Sequence, residues 1–201
     1  MLASSSNQSS RLHAALNRIG FYSSKQTEHS EALPLPPATV ETLFQIHRCL
    51  ITSIPYENLS VYFPPAWYVP GQVVAADGLP EPPIRVDIDS VFNKLVEQKR
   101  GGFCLELNTL YSWILTTLGY SVTTHLCKMV MGITEQDPAA HDIAKHIILL
   151  VTVPGTLERY CCDIGLSDLT ALNPLGFYQG AEAPINAGKK SPVGQRLLAW
   201  S

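Results

Sequence analysis

The chain has 201 residues, enough to bury one core of good size. Charged residues are sparse at 15%, the net charge is −3, and no basic cluster exceeds the two residues of Lys99-Arg100 or Lys189-Lys190, so nothing points to a nucleic-acid partner. The longest purely aliphatic run, Ile147–Val151, is far shorter than the roughly 20 apolar residues of a membrane-crossing helix, and no membrane partner is expected. Five cysteines, at 49, 104, 127, 161 and 162, form no framework of even number and regular spacing. That usage suits a reducing compartment, and the expected location is cytoplasmic. No Cys-x-x-Cys pair occurs, so no metal site is expected.

Residues 1–26 are rich in serine, carry Arg11, Arg18 and Lys25, and contain no acid, a composition similar to that of a transit peptide. They are nevertheless read as a disordered start over residues 1–10 followed by a helix over Leu12–Gly20. Residues 31–38 form a Pro-rich link. A second helix is predicted over Thr39–Ile51, with Leu43, Ile46, Leu50 and Ile51 on its apolar face. Residues 64–83, rich in Pro, Gly and Ala, read as a surface loop. A third helix is expected over Ser90–Gln98, capped by Ser90, with Val91, Leu95 and Val96 inward.

Arg100-Gly101-Gly102-Phe103-Cys104 then places a cysteine where a glycine-rich loop becomes a helix. From there Leu107, Leu110, Tyr111, Ile114, Leu115 and Leu118 recur at the spacing of one buried helix face, and Gly119 supplies the stop. Cys104 falls in the first turn, where unpaired N–H groups and the helix dipole favour a thiolate. Gly101 and Gly102 leave room for a substrate carbonyl to approach the backbone.

After Gly119 the pattern changes to strands, at Ser121–Met131, His146–Val153 and Arg159–Ile164. Pro154-Gly155 marks the turn between the last two. A hairpin centred there places residue i opposite residue 309 − i, so that His146 faces Asp163. A longer turn would slip the register by one or two residues and still leave both at the same open end. A cysteine nucleophile needs a base, and the base needs an orienter. Cys104, His146 and Asp163 supply that set in the order used by papain-like sites, with His141 in the loop before the strand as the rival base. Helices first and an antiparallel region second make an α+β fold with a papain-like cysteine-enzyme arrangement.

These residues resemble the arylamine N-acetyltransferases. Residues 100–108, Arg-Gly-Gly-aromatic-Cys-x-Glu-Leu-Asn, look like that family's nucleophile motif. Ile54-Pro55-Tyr56-Glu57-Asn58-Leu59 resembles its Pro-aromatic-Glu-Asn-Leu motif, and Asn17-Arg18-Ile19-Gly20 the start of its first helical region. The likeness runs from about Leu16 to Leu175. It implies Cys104 as the acylated nucleophile, His146 as base and Asp163 as orienter, with acetyl-CoA or another acyl-CoA as cosubstrate and an arylamine or arylhydrazine as acceptor. It implies contacts to the acyl carrier at Gly102, Phe103, Gly165 and Ser167. Glu57, Asn58 and Arg100 resemble the polar network that holds the cysteine loop, most simply as an Arg100–Glu57 ion pair.

The chain departs from the family in three places. Gly165-Leu166-Ser167 stands where the family usually has Gly-Phe-Gly, residues 64–83 are an insertion, and the sequence stops at Ser201. The expected organisation is a helical region over 1–119 carrying the nucleophile and an incomplete β-rich region over 120–201 carrying His146 and Asp163. Gln195–Trp200 reads as a strand, and the family's C-terminal lid is missing. Two alternatives accompany acyl transfer: a cysteine hydrolase or transglutaminase-like enzyme on the same triad, and an inactive truncated remnant.

Overall fold

A computed structural model describes residues 5–22, 33–62, 84–127, 146–166 and 170–177. The loop at 64–83, His141, Ser167 and the strand expected at Gln195–Trp200 lie outside them. Helix α1 spans Ser5–Arg18 and buries Leu12, Ala15 and Leu16, with Ile19 just beyond its end. It begins well before Leu12, so the supposed disordered start is helical from Ser5 onward. Serine has a modest helix propensity, and a turn anchored on a buried face extends readily through it. Helix α2, Val40–Ser53, is capped by Thr39, whose hydroxyl accepts from the Thr42 N–H at 3.2 Å. Its buried face is Leu43, Ile46, His47 and Leu50. Leu59–Tyr62 forms a single exposed turn, α3.

Helix α4, Ile88–Phe92, starts earlier than expected. Asp87 is its cap, accepting from the Ser90 N–H at 3.0 Å, so Ser90 lies inside the helix. Aspartate caps as well as serine does, and the chain takes the earlier of the two. The helix then widens into a π-helical turn over Asn93–Glu97, a feature without a simple sequence signature. Helix α5, Cys104–Leu118, follows the predicted pattern, burying Leu107, Leu110, Tyr111, Ile114 and Leu115. It ends at Gly119, whose φ of 102° is the left-handed geometry that favours glycine. Helix α5 lies at the centre of the molecule and packs against α1, α4 and the first two strands.

The antiparallel sheet runs β1 Ser121–Cys127, β2 His146–Thr152, β3 Arg159–Cys162 and β4 Leu175–Gly176, paired in that order. Leu149 and Val151 of β2 and Cys162 of β3 turn into the core against α5. The β2–β3 register corrects the predicted one. Leu149 pairs with Cys162 and Thr152 with Arg159, and the Val153 N–H donates to the Glu158 carbonyl. The turn is therefore Pro154–Leu157, four residues rather than two, and the register has slipped by two. Asp163 comes level with Ile148, not with His146. Side chains alternate faces with period two, so this slip leaves His146 and Asp163 on the same face, where a slip of one would have separated them.

Arg18 joins three segments that lead to the cysteine loop. Its guanidinium donates to the carbonyls of Ser53 at 2.9 Å, Leu95 at 3.0 Å and Lys99 at 3.3 Å. These carbonyls lie at the end of α2, inside the π-helical turn and just before the loop, and one planar fork satisfies all three where no backbone donor among the described residues reaches them. Arg18→Met keeps the apolar stem and removes the fork. It is expected to lower stability by about 2 kcal/mol in urea unfolding, the scale of a hydrogen bond to a charged group.

Candidate active site

The cysteine loop is held from both sides. A parallel bridge pairs Tyr56 with Gly102: the Gly102 N–H donates to the Pro55 carbonyl at 3.2 Å, and the Glu57 N–H donates to the Gly102 carbonyl at 2.8 Å. The Glu57 carboxylate accepts from Arg100 and from the Gly101 N–H, so the expected ion pair is present and continues into the backbone. Asn58 contributes its carbonyl, which accepts from the Val61 N–H in α3. A Cβ at Gly101 would stand 2.4 Å from the Pro55 carbonyl oxygen, and one at Gly102 would crowd Leu95 and Glu106. The direction a side chain would take at either glycine is thus filled by the protein itself.

Phe103 is the N-cap of α5 and has no side-chain acceptor to offer. Glu106, two residues after Cys104 and 3% exposed, reaches back to accept from the Phe103 N–H at 3.1 Å. Its two oxygens also take Lys94 Nζ at 2.9 and 2.8 Å. Lys94 comes from the π-helical turn. Cys104 is the first residue of α5 and is partly exposed.

His146 opens β2 and is 3% exposed. Its Nε2 lies 2.6 Å from Asp163 Oδ2, just past the end of β3. A carboxylate only accepts, so Nε2 carries the proton and Nδ1 is the nitrogen left for the side-chain hydrogen bond with Cys104. Burial disfavours the imidazolium. The hydrogen bonds and charges of Asp163 and Cys104 outweigh it, and the His146 pKa is raised to about 9. Asp163 is fixed in turn: its Oδ1 accepts from the Gly165 N–H at 2.9 Å and from Asn108 Nδ2 at 3.2 Å. A Cβ on Gly165 would stand 2.7 Å from Cys104 Cα, so this glycine sits directly against the cysteine.

Cys104, His146, Asp163 and Gly165, singled out from sequence, thus converge, while Gly102 and Phe103 lie in the loop before the cysteine. Two residues of the 100–108 motif have roles that were not read from the sequence. Asn108 is an amide at i+4 from Cys104, wholly buried within an otherwise apolar helix face. Glu106 occupies the third helical position, where a carboxylate that caps backward belongs.

A family model described as N-acetyltransferase matches residues 39–190. The chain belongs to the arylamine N-acetyltransferase family. Among its relatives, the pineal gland isozyme NAT-3 of Gallus gallus is 33% identical over 150 residues, 74% of this chain and 44% of that protein. The arylamine N-acetyltransferase of Mycolicibacterium smegmatis is 30% identical over 157 residues, 78% of this chain and 50% of the relative. The solved arylamine N-acetyltransferase of Salmonella typhimurium superposes with a TM-score of 0.63 at 27% identity, covering 87% of this chain and 52% of that one. These neighbours share the α+β, papain-like arrangement of helices followed by an antiparallel sheet. The chain spans about half the length of the relatives it matches.

The four other thiols differ from Cys104 in surroundings. Burial pushes Cys127 up to about 11 and Cys161 and Cys162 to about 12, and it raises Cys49 as well. All four are therefore neutral near pH 7, and among the described residues none has an imidazole partner of this kind. Brief treatment of the folded protein with iodoacetamide is expected to label Cys104 at least about tenfold faster than any other cysteine. Peptide mapping reads the result, and equal labelling of all five contradicts the activated thiol.

The His146 ring should titrate near pH 9 when followed by NMR. Its folded pKa lies above the roughly 6.5 of an unfolded histidine, so its contribution to stability is complete below about pH 6.5 and is lost as pH rises through about 9. Asp163→Asn removes a charge and an acceptor from the imidazolium and is expected to bring the titration down.

Proposed function

We propose that the protein transfers an acyl group from acyl-coenzyme A, most simply acetyl-CoA, to the nitrogen of an arylamine or arylhydrazine. The single observation that carries this reading is the series Cys104–His146–Asp163, with the thiol at a helix start and the imidazole buried against the Asp163 carboxylate. The thiolate of Cys104 attacks the thioester carbonyl. The new Sγ–C bond forms as the bond from carbon to the coenzyme A sulfur breaks, and the departing thiolate takes its proton from the His146 imidazolium. One thioester replaces another at little cost in free energy, which suits cysteine to the step better than serine. The amine nitrogen then attacks the acyl carbon, His146 accepts the amine proton, and Cys104 leaves as thiolate beside a restored imidazolium. Proton transfer of this kind contributes about 10²–10⁴-fold in rate. Asp163 holds the tautomer that presents Nδ1 to Cys104.

In this reading residues 1–119 carry the nucleophile and residues 120–201 the base and its orienter. Gly102, Phe103, Gly165 and Ser167 are assigned the contacts to the acyl carrier by their resemblance to the family's pattern. The relatives' names, which specify arylamine N-acetylation, support the acceptor class. A cytoplasmic location agrees with five cysteines that all remain free. Among the described residues no helix is long and apolar enough to cross a membrane.

Incubation with acetyl-CoA alone should give an acetyl adduct on Cys104, detected by intact and peptide mass. An arylhydrazine should discharge it much faster than water does. His146→Ala should abolish the adduct, and Asp163→Asn should slow its formation by about 10³–10⁴-fold. Discharge by water as fast as by amine would instead identify a hydrolase.

A further inference from the structure

We infer that Asn108 is a positioning residue: its buried amide, one helical turn below Cys104, holds Asp163 and the start of β2 at the distance from α5 that the Cys104–His146 contact requires. The inference rests on the triad assignment above.

Asn108 is 0% exposed. Its Nδ2 donates to the Ile147 carbonyl at 2.9 Å and to Asp163 Oδ1 at 3.2 Å, and its Oδ1 accepts from the Ile164 N–H at 3.3 Å. Ile147 follows His146, and Ile164 follows Asp163. One side chain therefore grips the residue next to the base, the residue next to the orienter, and the orienter itself. Its own backbone belongs to the helix that carries the nucleophile, and at i+4 it shares a face with Cys104. With Asp163 Oδ1 occupied by Asn108 and the Gly165 N–H, Oδ2 is the oxygen left to meet His146. The amide suits the place because it donates twice and accepts as well. A carboxylate there would set a second negative charge beside Asp163, and an apolar side chain would leave buried donors and acceptors unmet. The titratable groups facing His146 are Asp163 and Cys104; Cys127 and Cys161, near Asp163, are kept neutral by burial.

Asn108→Leu preserves volume and removes every polar contact. In the folded variant the His146 titration, followed by NMR, should fall by about one pH unit, a tenfold loss of proton affinity. Acyl transfer should lose about 10²-fold in kcat while KM for acetyl-CoA changes by less than about threefold, the pattern of a misplaced reacting group. A folded Asn108→Leu protein whose His146 titrates as in the parent overturns the inference. Should that variant fail to fold, the parent protein still decides. The Asn108 side-chain amide resonances should shift in step with the His146 titration, and indifference to it overturns the inference equally. These NMR readouts need no turnover. A chain that shows both shifts but transfers no acyl group would refute the transferase reading and support the positioning role.

Discussion

The 2.6 Å contact between His146 and Asp163 governs the rest of this structure. An imidazolium that is 3% exposed survives only beside a compensating charge, because burial alone drives the proton off. The carboxylate in turn needs donors on its far side, and these come from Asn108 and the Gly165 backbone. One donor stands on α5 and the other just beyond β3. The ion pair forms only where the central helix and the β2–β3 hairpin meet at a fixed distance. Gly165 sets how close they come, since even a methyl group there would collide with the Cys104 backbone.

A second set of polar contacts fixes the other wall of the site. Glu57 neutralises Arg100 and draws in the Gly101 N–H, while Glu106 caps its own helix backward and holds Lys94. The Lys94–Glu106 pair is nearly buried, so its attraction is offset by the cost of removing both charges from water. Such a pair adds little stability over an apolar one. What it supplies is geometry: the ammonium joins the π-helical turn to the start of α5 and leaves the loop one way to enter the helix. Arg18 does the same from outside with three carbonyls. Beneath the sheet, His47 accepts the same logic in neutral form. Its ring bonds Tyr111 of α5 at 3.3 Å and the Ala171 carbonyl at 2.8 Å, while Arg48 holds Asn173. The chain beyond the Asp163 loop is thereby tied to α2. Burial lowers the His47 pKa and outweighs the opposing pull of the Ala171 carbonyl and the charge of Asp163, the opposite outcome to His146, which Asp163 bonds directly.

Much of this was legible in order along the chain. The 3.6-residue apolar spacing of α2 and α5 and the left-handed stop at Gly119 are local properties, and they lie where periodicity puts them. Cys104 at a helix start follows from the same reading. The cap of α4 shows the limit of local signals: Asp87 and Ser90 can both cap by residue type, and the helix starts at Asp87. The π-helical turn and the single exposed turn at Leu59–Tyr62 answer to neighbours rather than to their own residues.

By itself the sequence determined the residue types of the site, their order and the faces they occupy, because helix and strand periods depend on nearest neighbours. Tertiary structure alone decided the register of the hairpin, set by a four-residue turn that Pro154-Gly155 does not announce, the partners of Asn108 and Arg18, and the pairing of Glu106 with Lys94. Those bonds span separations of up to 81 residues in the chain, and no local pattern encodes a donor whose acceptor lies so far away.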